Sequence, residues 1–217
     1  DANAFLLRVF SIMGLGLVIT GITAFFFAQA IAQGTVQMST GLMYFLMFLP
    51  LGFVLLMSFG INRMSYMTAS IVFGLYAVSM GLSLSFIFFV YSLGAISSTF
   101  FITAGMFGAM AFIGYTTKRD LTKMGSYLFM ALIGLIIAMV VNFFLGSSIM
   151  EFIISVIGVI IFAGLTAFDV QRLLWTGMQG DINGEIQKKN AVMGALALYL
   201  DFINMFLFLL RIFGGRD

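Results

Sequence analysis

The sequence predicts an all-α integral membrane protein, a single domain of seven transmembrane helices over residues 1–217. Three observations predict it. Of the 217 residues, 62% are hydrophobic and only 8% charged, with a mean hydropathy of +1.16, where soluble domains carry about a quarter charged residues. Seven apolar stretches each come near the roughly 20 residues that cross the hydrocarbon of a bilayer. The basic residues gather in alternate connections, as they do where cytoplasmic loops hold the excess of Lys and Arg.

The spans are read in order at 9–31, 42–60, 67–90, 98–116, 125–145, 152–174 and 191–213. The first is too long for the apolar region of a cleavable leader and lacks a small-residue cleavage site; since residue 1 is Asp, a tail preceding it is expected. The second contains Pro50, the sole proline. The fourth runs through "TAGMFGAMAFIG" (103–114), where Ala104 and Gly108, and Gly105 and Ala109, stand four apart. Small residues at that spacing let helices approach closely, and packing within one bundle is the reading preferred to a dimer seam. The fifth is an unbroken apolar run. The sixth closes on "GLTAFDVQRLLW", and the seventh, "ALALYLDFINMFLFLLRIF" (195–213), carries Asp201 and Asn204 among apolar neighbours. Two polar connections stand out, "TKRDLTK" (117–123) and "TGMQGDINGEIQKKN" (176–190).

Orientation follows from charge. Arg8, Arg63, Lys118, Arg119, Lys123, Arg172, Lys188 and Lys189 fall on one side, while loops 32–41, 91–97 and 146–151 hold no Lys or Arg. The N-terminus is therefore expected in the cytoplasm. Seven crossings then place Arg211, Arg216 and the C-terminus outside; a re-entrant last segment is the alternative that keeps every basic residue inside. The chain contains no Cys and no His. Thiolate metal sites and thiol nucleophiles are excluded, and so is a histidine pH switch, leaving carboxylates as the only pH sensors. A net charge of +2 with scattered basic residues leaves no footprint for nucleic acid.

Two carboxylates carry the chemistry. A charge near the bilayer centre costs about 3 kcal/mol on insertion scales, so Asp201 is expected to face a cavity or a partner, either as a neutral acid or ionised beside a cation. Asn204 lies one turn on, adding a second polar group to that face. Asp169 stands near the inner end of the sixth span, with Thr166 and Arg172 each three residues away on the same face; a plain interfacial pair with Arg172 is the structural alternative. Arg63, in "GINRMSY", lies between the second and third spans on the Asp169 side and reads from sequence as a positive-inside anchor. Glu151 complements the N-terminus of the sixth helix. Asp120, Asp181 and Glu185 read as solvated loop acids.

"ALALYLDFINMFLFLLRIFG" resembles the C-terminal signature of the Bax inhibitor family, "FITAGMFGAMAFIGYTTKRDL" (101–121) resembles its bacterial YccA-like branch, and "GLTAFDVQRL" (164–173) fits the family's sixth-span motif, with Phe168-Asp169 where Tyr-Asp is common. The resemblance spans the whole chain. It implies six helices surrounding a central seventh, in a bacterial inner membrane, and a pH-sensitive calcium leak without a cofactor. It also implies that Asp169 and Asp201 share a proton and meet the calcium ion, and that Arg63 latches Asp169 in the closed state. Calcium is a hard cation that takes oxygen ligands. One departure concerns the second span: "FLPLGFVLLMSF" (48–59) lacks the acid that some calcium-conducting relatives carry there.

Three rival readings are weighed. The YccA-like resemblance implies a regulator of a membrane-bound ATP-dependent protease. A diaspartyl intramembrane protease fails on motif, because Leu198-Tyr199-Leu200-Asp201 stands where Gly-x-Gly-Asp is needed, and no enzyme activity is expected. A proton-coupled transporter lacks the paired Gly/Pro-broken helices of such folds.

Overall fold

The computed structural model describes residues 1–179 and 184–215; Asp181 and Arg216 fall outside that range. The helices are α1 (Ala2–Ala32), α2 (Thr40–Gly60), a 3-10 turn at Ile61–Arg63, α3 (Tyr66–Leu84), the short α4 (Ile87–Val90), α5 (Leu93–Thr116), α6 (Thr122–Leu145), α7 (Ser148–Met178) and α8 (Glu185–Phe213). No strand occurs among the described residues. Seven of these segments, with α3 and α4 counted as one, are long and apolar enough to cross a membrane. In lipid a spanning helix satisfies every backbone polar group within itself, and this composition needs that solution.

Helix starts are set by short polar side chains. Asp1, Ser39, Ser65 and Ser92 each accept a backbone N–H from the first turn of α1, α2, α3 and α5. α6 ends at Gly146 with φ +63°, where a residue bearing a Cβ is strained. α8 is a continuous 29-residue helix, about 43 Å long, and exceeds the hydrocarbon thickness. It begins at Glu185 and runs through Gly194, so the late start that hydropathy suggests near residue 191 does not occur. Glu185 explains the early start: it sits in the first turn, where a negative charge complements the helix dipole.

Exposure follows the lipid environment. Phe59, Phe143 and Phe144 are each more than 80% exposed, which water would penalise and acyl chains favour. α6 has the most apolar 18-residue window of any span, and only 6% of that window is buried; 72% of the α8 window is buried.

The chain divides into two compact units. The first comprises Asp1–Val90 and Thr176–Tyr199, the second Tyr91–Trp175 and Leu200–Asp217. In the first unit α1 packs on α3 at small residues. A Cβ at Gly81 would come 2.7 Å from Thr20 O, and one at Gly16 would come 2.8 Å from the Phe73 ring. Thr20 Oγ1 donates across this seam to Ala77 O at 2.9 Å. The start of α8 holds the turn after α2: Lys189 Nζ donates to Ile61 O and Met64 O at 3.3 and 3.1 Å, and Glu185 Oε1 accepts from Tyr66 N. Glu185 is therefore a tie between segments rather than a freely solvated acid.

In the second unit, α8 beyond Leu200 is gripped by α5 and α7. The Phe202 ring meets Phe100 and Phe107 at 5.4 and 5.6 Å, and Phe208 stacks on Phe162 over Gly158. The fourth-span glycines divide unexpectedly. Gly105 and Gly108 have open space beside them, so the spacing in "TAGMFGAMAFIG" does not mark a tight seam there; the close approach falls on Gly114, against Ala167 of α7.

Asp120 also departs from its sequence reading. Exposed as it is, its Oδ1 accepts from Thr122 N at 2.9 Å and Thr122 Oγ1 at 2.6 Å, capping the first turn of α6. These hydrogen bonds hold its carboxyl below the usual carboxylate range. A depressed pKa means the cap is fully present above the ordinary value near 4 and is lost as pH falls through the lower folded value. Amide exchange at Thr122, corrected for intrinsic rate, is therefore expected to accelerate on acidification below about pH 4 in the wild type. In Asp120→Ala it is expected to be fast at every pH.

Candidate functional site

α7 and α8 present the site within the second unit. Asp169 and Asp201 are each only 4% exposed. Their carboxyl groups come within hydrogen-bonding reach of each other. Asp169 Oδ1 lies 2.8 Å from Arg172 Nη2, one helical turn on, in an ion pair whose arginine side chain is 49% exposed. The same guanidinium sits over the Phe168 ring, 5.6 Å from its centroid. Asp201 Oδ2 is buried and takes no hydrogen bond from any described residue. The site thus holds two buried carboxyls and one half-exposed cation.

Packing sets where the pair stands. Gly114 of α5 lies against the backbone of Ala167, where any Cβ would overlap the Ala167 carbonyl. Gly125 of α6 lies under Phe168, its notional Cβ 2.6 Å from the ring. The two residues before Asp169 are therefore seated directly on neighbouring helices. Gln171, two residues after it and 4% exposed, donates from Nε2 to Arg119 O at 2.8 Å and accepts at Oε1 from Leu121 N at 2.9 Å. It ties the basic 117–121 loop to α7.

The other sequence candidates are placed as follows. Thr166 is fully buried and donates to Phe162 O at 2.8 Å, and Asn204 Nδ2 donates to Leu200 O at 2.8 Å, so both spend a proton on their own helix. Arg63 ends the 3-10 turn of the first unit and is exposed; the ion pair formed by Asp169 is with Arg172. Sequence reading passed over Gln171 and Gly114. A glutamine beside Arg172 and two residues from Asp169 looks solvated, and only its loop partners, 50 and 52 residues away, reveal its role.

Among the described residues no three acidic side chains converge. A calcium ion at the pair would meet two carboxylates and complete its six to eight oxygens from water and carbonyls.

A family model described as inhibitor of apoptosis-promoting Bax1 matches residues 2–217. The chain belongs to the Bax inhibitor family. This Bax inhibitor family chain is 44% identical over 216 residues to the inner membrane protein YbhL of Escherichia coli, covering 99% of the chain and 92% of YbhL. It is 45% identical over 215 residues to an uncharacterized protein of Borreliella burgdorferi, with 99% and 93% covered. An uncharacterized protein of Rickettsia prowazekii, RP147, is 43% identical over 212 residues, with 98% and 89% covered.

Lys189 gives a prediction for this family member. It satisfies two carbonyls in the turn after α2 from a partly buried position, and hydrogen bonds to charged groups contribute about 1.5–3 kcal/mol each before solvent screening. Lys189→Met is expected to lower unfolding stability in bicelles by about 1–2 kcal/mol and to raise amide exchange at residues 61–66.

Proposed function

We propose that the protein is a pH-sensitive calcium leak, without enzymatic activity or cofactor, in a bacterial inner membrane with its N-terminus cytoplasmic. The observation that carries the reading is the buried Asp169–Asp201 pair with Arg172 on one side. Like-charged carboxylates in a dry site do not both ionise readily, so one proton shared by the pair titrates as a property of both. In the closed state Asp169 is anionic and held by Arg172, and Arg63 is the residue to which the family resemblance assigns the latch. A proton arriving at Asp169 dissolves that attraction and frees α7 from it. With α7 released, the path past the now neutral pair opens to a calcium ion, which keeps carbonyl and water oxygens as ligands in transit. Leak therefore rises as pH falls. The membrane location draws support from the name of YbhL and from the side on which the basic loops fall.

Purified protein in liposomes, with calcium entry followed by a trapped dye at pH 6, 7 and 8, tests the reading. Entry above empty liposomes that grows toward pH 6 is expected, with Arg63→Ala raising entry at pH 8. Entry equal to that of empty liposomes at every pH would overturn it. A role in regulating a membrane-bound protease would then lead.

A further inference from the structure

Midway along three helices of the first unit lies a cluster of hydroxyls that the carboxylate pair does not use. Thr20 stands on α1, Tyr76 on α3 and Tyr199 on α8, all 3% exposed or less. Thr20 Oγ1 and Tyr199 OH are 2.6 Å apart. The direction of that bond is fixed by its neighbour. Ala77 O can only accept, so the Thr20 proton goes there at 2.9 Å. Tyr199 must then donate to Thr20, which leaves the Tyr199 oxygen with lone pairs to offer and no proton. Tyr76 is the complement. Its ring packs edge-on against Tyr199 with centroids 5.2 Å apart, and its hydroxyl is buried with no hydrogen-bond partner among the described residues.

A phenol proton without an acceptor and a phenol oxygen with lone pairs to offer thus stand on two rings packed edge-on. Leaving such a group bare forfeits the full desolvation penalty, and buried polar groups in native proteins are nearly always satisfied by protein or by ordered water. We infer that Tyr76 and Tyr199 hold one internal water molecule, which accepts from Tyr76 O–H and donates to the Tyr199 oxygen. The chain of bonds then runs from Tyr76 through water, Tyr199 and Thr20 to Ala77 O, linking α3, α8 and α1. The ligand is neutral water rather than a metal cation. Among the described residues of the first unit the only acids, Asp1 and Glu185, stand at helix starts. A cation among these hydroxyls would have no counter-charge in a buried site. Gly16, one turn before Thr20, supplies room for the rings of Phe73 and Tyr199.

A double-mutant cycle of Tyr76→Phe and Tyr199→Phe, read as the unfolding equilibrium of the full chain in bicelles, tests the site. Tyr76→Phe is expected to shift that equilibrium toward the unfolded state by about fivefold. The double variant is expected to lose about fivefold less than the product of the single losses. Tyr76→Phe at or above wild-type stability, with additive effects, would sink the proposal, since the hydroxyl would then be simply bare. Diffraction supplies a reading that needs no variant. A density peak within about 3 Å of both phenol oxygens is expected, and a direct phenol–phenol bond or a dry gap would overturn the water site.

Discussion

Asp169→Asn is expected to fix calcium entry at its acid level across the pH range. Asparagine has the shape of the protonated aspartate and cannot ionise, so the attraction to Arg172 Nη2, now 2.8 Å away, is gone at every pH. In a one-proton equilibrium each pH unit changes the population about tenfold. Entry at neutral pH should therefore rise to the level the wild type reaches in acid, and the slope between pH 6 and 8 should vanish. Asp201→Asn removes the partner that shares the proton but leaves Asp169 facing its arginine. It should weaken and displace the pH dependence rather than abolish it. Two variants with unaltered pH profiles would remove the pair from the gate. A flattened profile for Asp169→Asn with unchanged melting would separate a gating role from a structural one.

Gly114→Val is expected to be the most damaging single substitution in the second unit. The neighbour of Gly114 is the main chain of Ala167, and a carbonyl cannot rotate out of the way as a side chain can. Overpacking a core costs about 1–3 kcal/mol, and a clash with backbone belongs at or above the top of that range. Gly125→Ala meets only the Phe168 ring, which can shift, so about 1 kcal/mol is expected there. Gly105→Ala, with open space beside it, serves as the control and should be neutral or slightly stabilising. Bicelle unfolding of the three variants would rank them, and a Gly114 variant as stable as the Gly105 control would refute the close approach of α5 and α7. Since Ala167 lies two residues before Asp169, a folded Gly114→Ala protein should also show an altered pH profile.

What the sequence made legible divides by range. Composition and hydropathy locate the spans, because lipid compatibility is a local property of about 20 residues. Helix ends are less legible: α1 begins at Ala2 and α8 at Glu185, several residues before the apolar runs, because backbone hydrogen bonding continues into polar turns that caps such as Asp1 stabilise. The split between α3 and α4 was invisible, since Ser85 and Phe86 fit an unbroken apolar helix. Asp201 stood out because a carboxylate amid such neighbours needs a reason, and Asp169 with Arg172 followed from one-turn spacing. Their meeting was not legible, since Asp169 stands near the inner end of its span and Asp201 near the bilayer centre. Thr20 and Tyr199 lie 179 residues apart, and each hydroxyl alone is an ordinary sight in a span. Long-range polar pairing leaves no periodic trace for a local reading to find.

The nearly bare flank of α6 has a consequence of another kind. This helix has only 6% of its most apolar window buried, so acyl chains are its principal neighbours. It nonetheless touches α7 through Gly125 and Phe168, one residue from Asp169. Bilayer thickness and lateral tension act first on a helix so exposed. Its tilt adjusts to the hydrocarbon, and one van der Waals contact separates that adjustment from the carboxyl. Lipid chain length is therefore expected to act on the site, with a proton titration performed in thin bilayers displaced from one performed in thick ones.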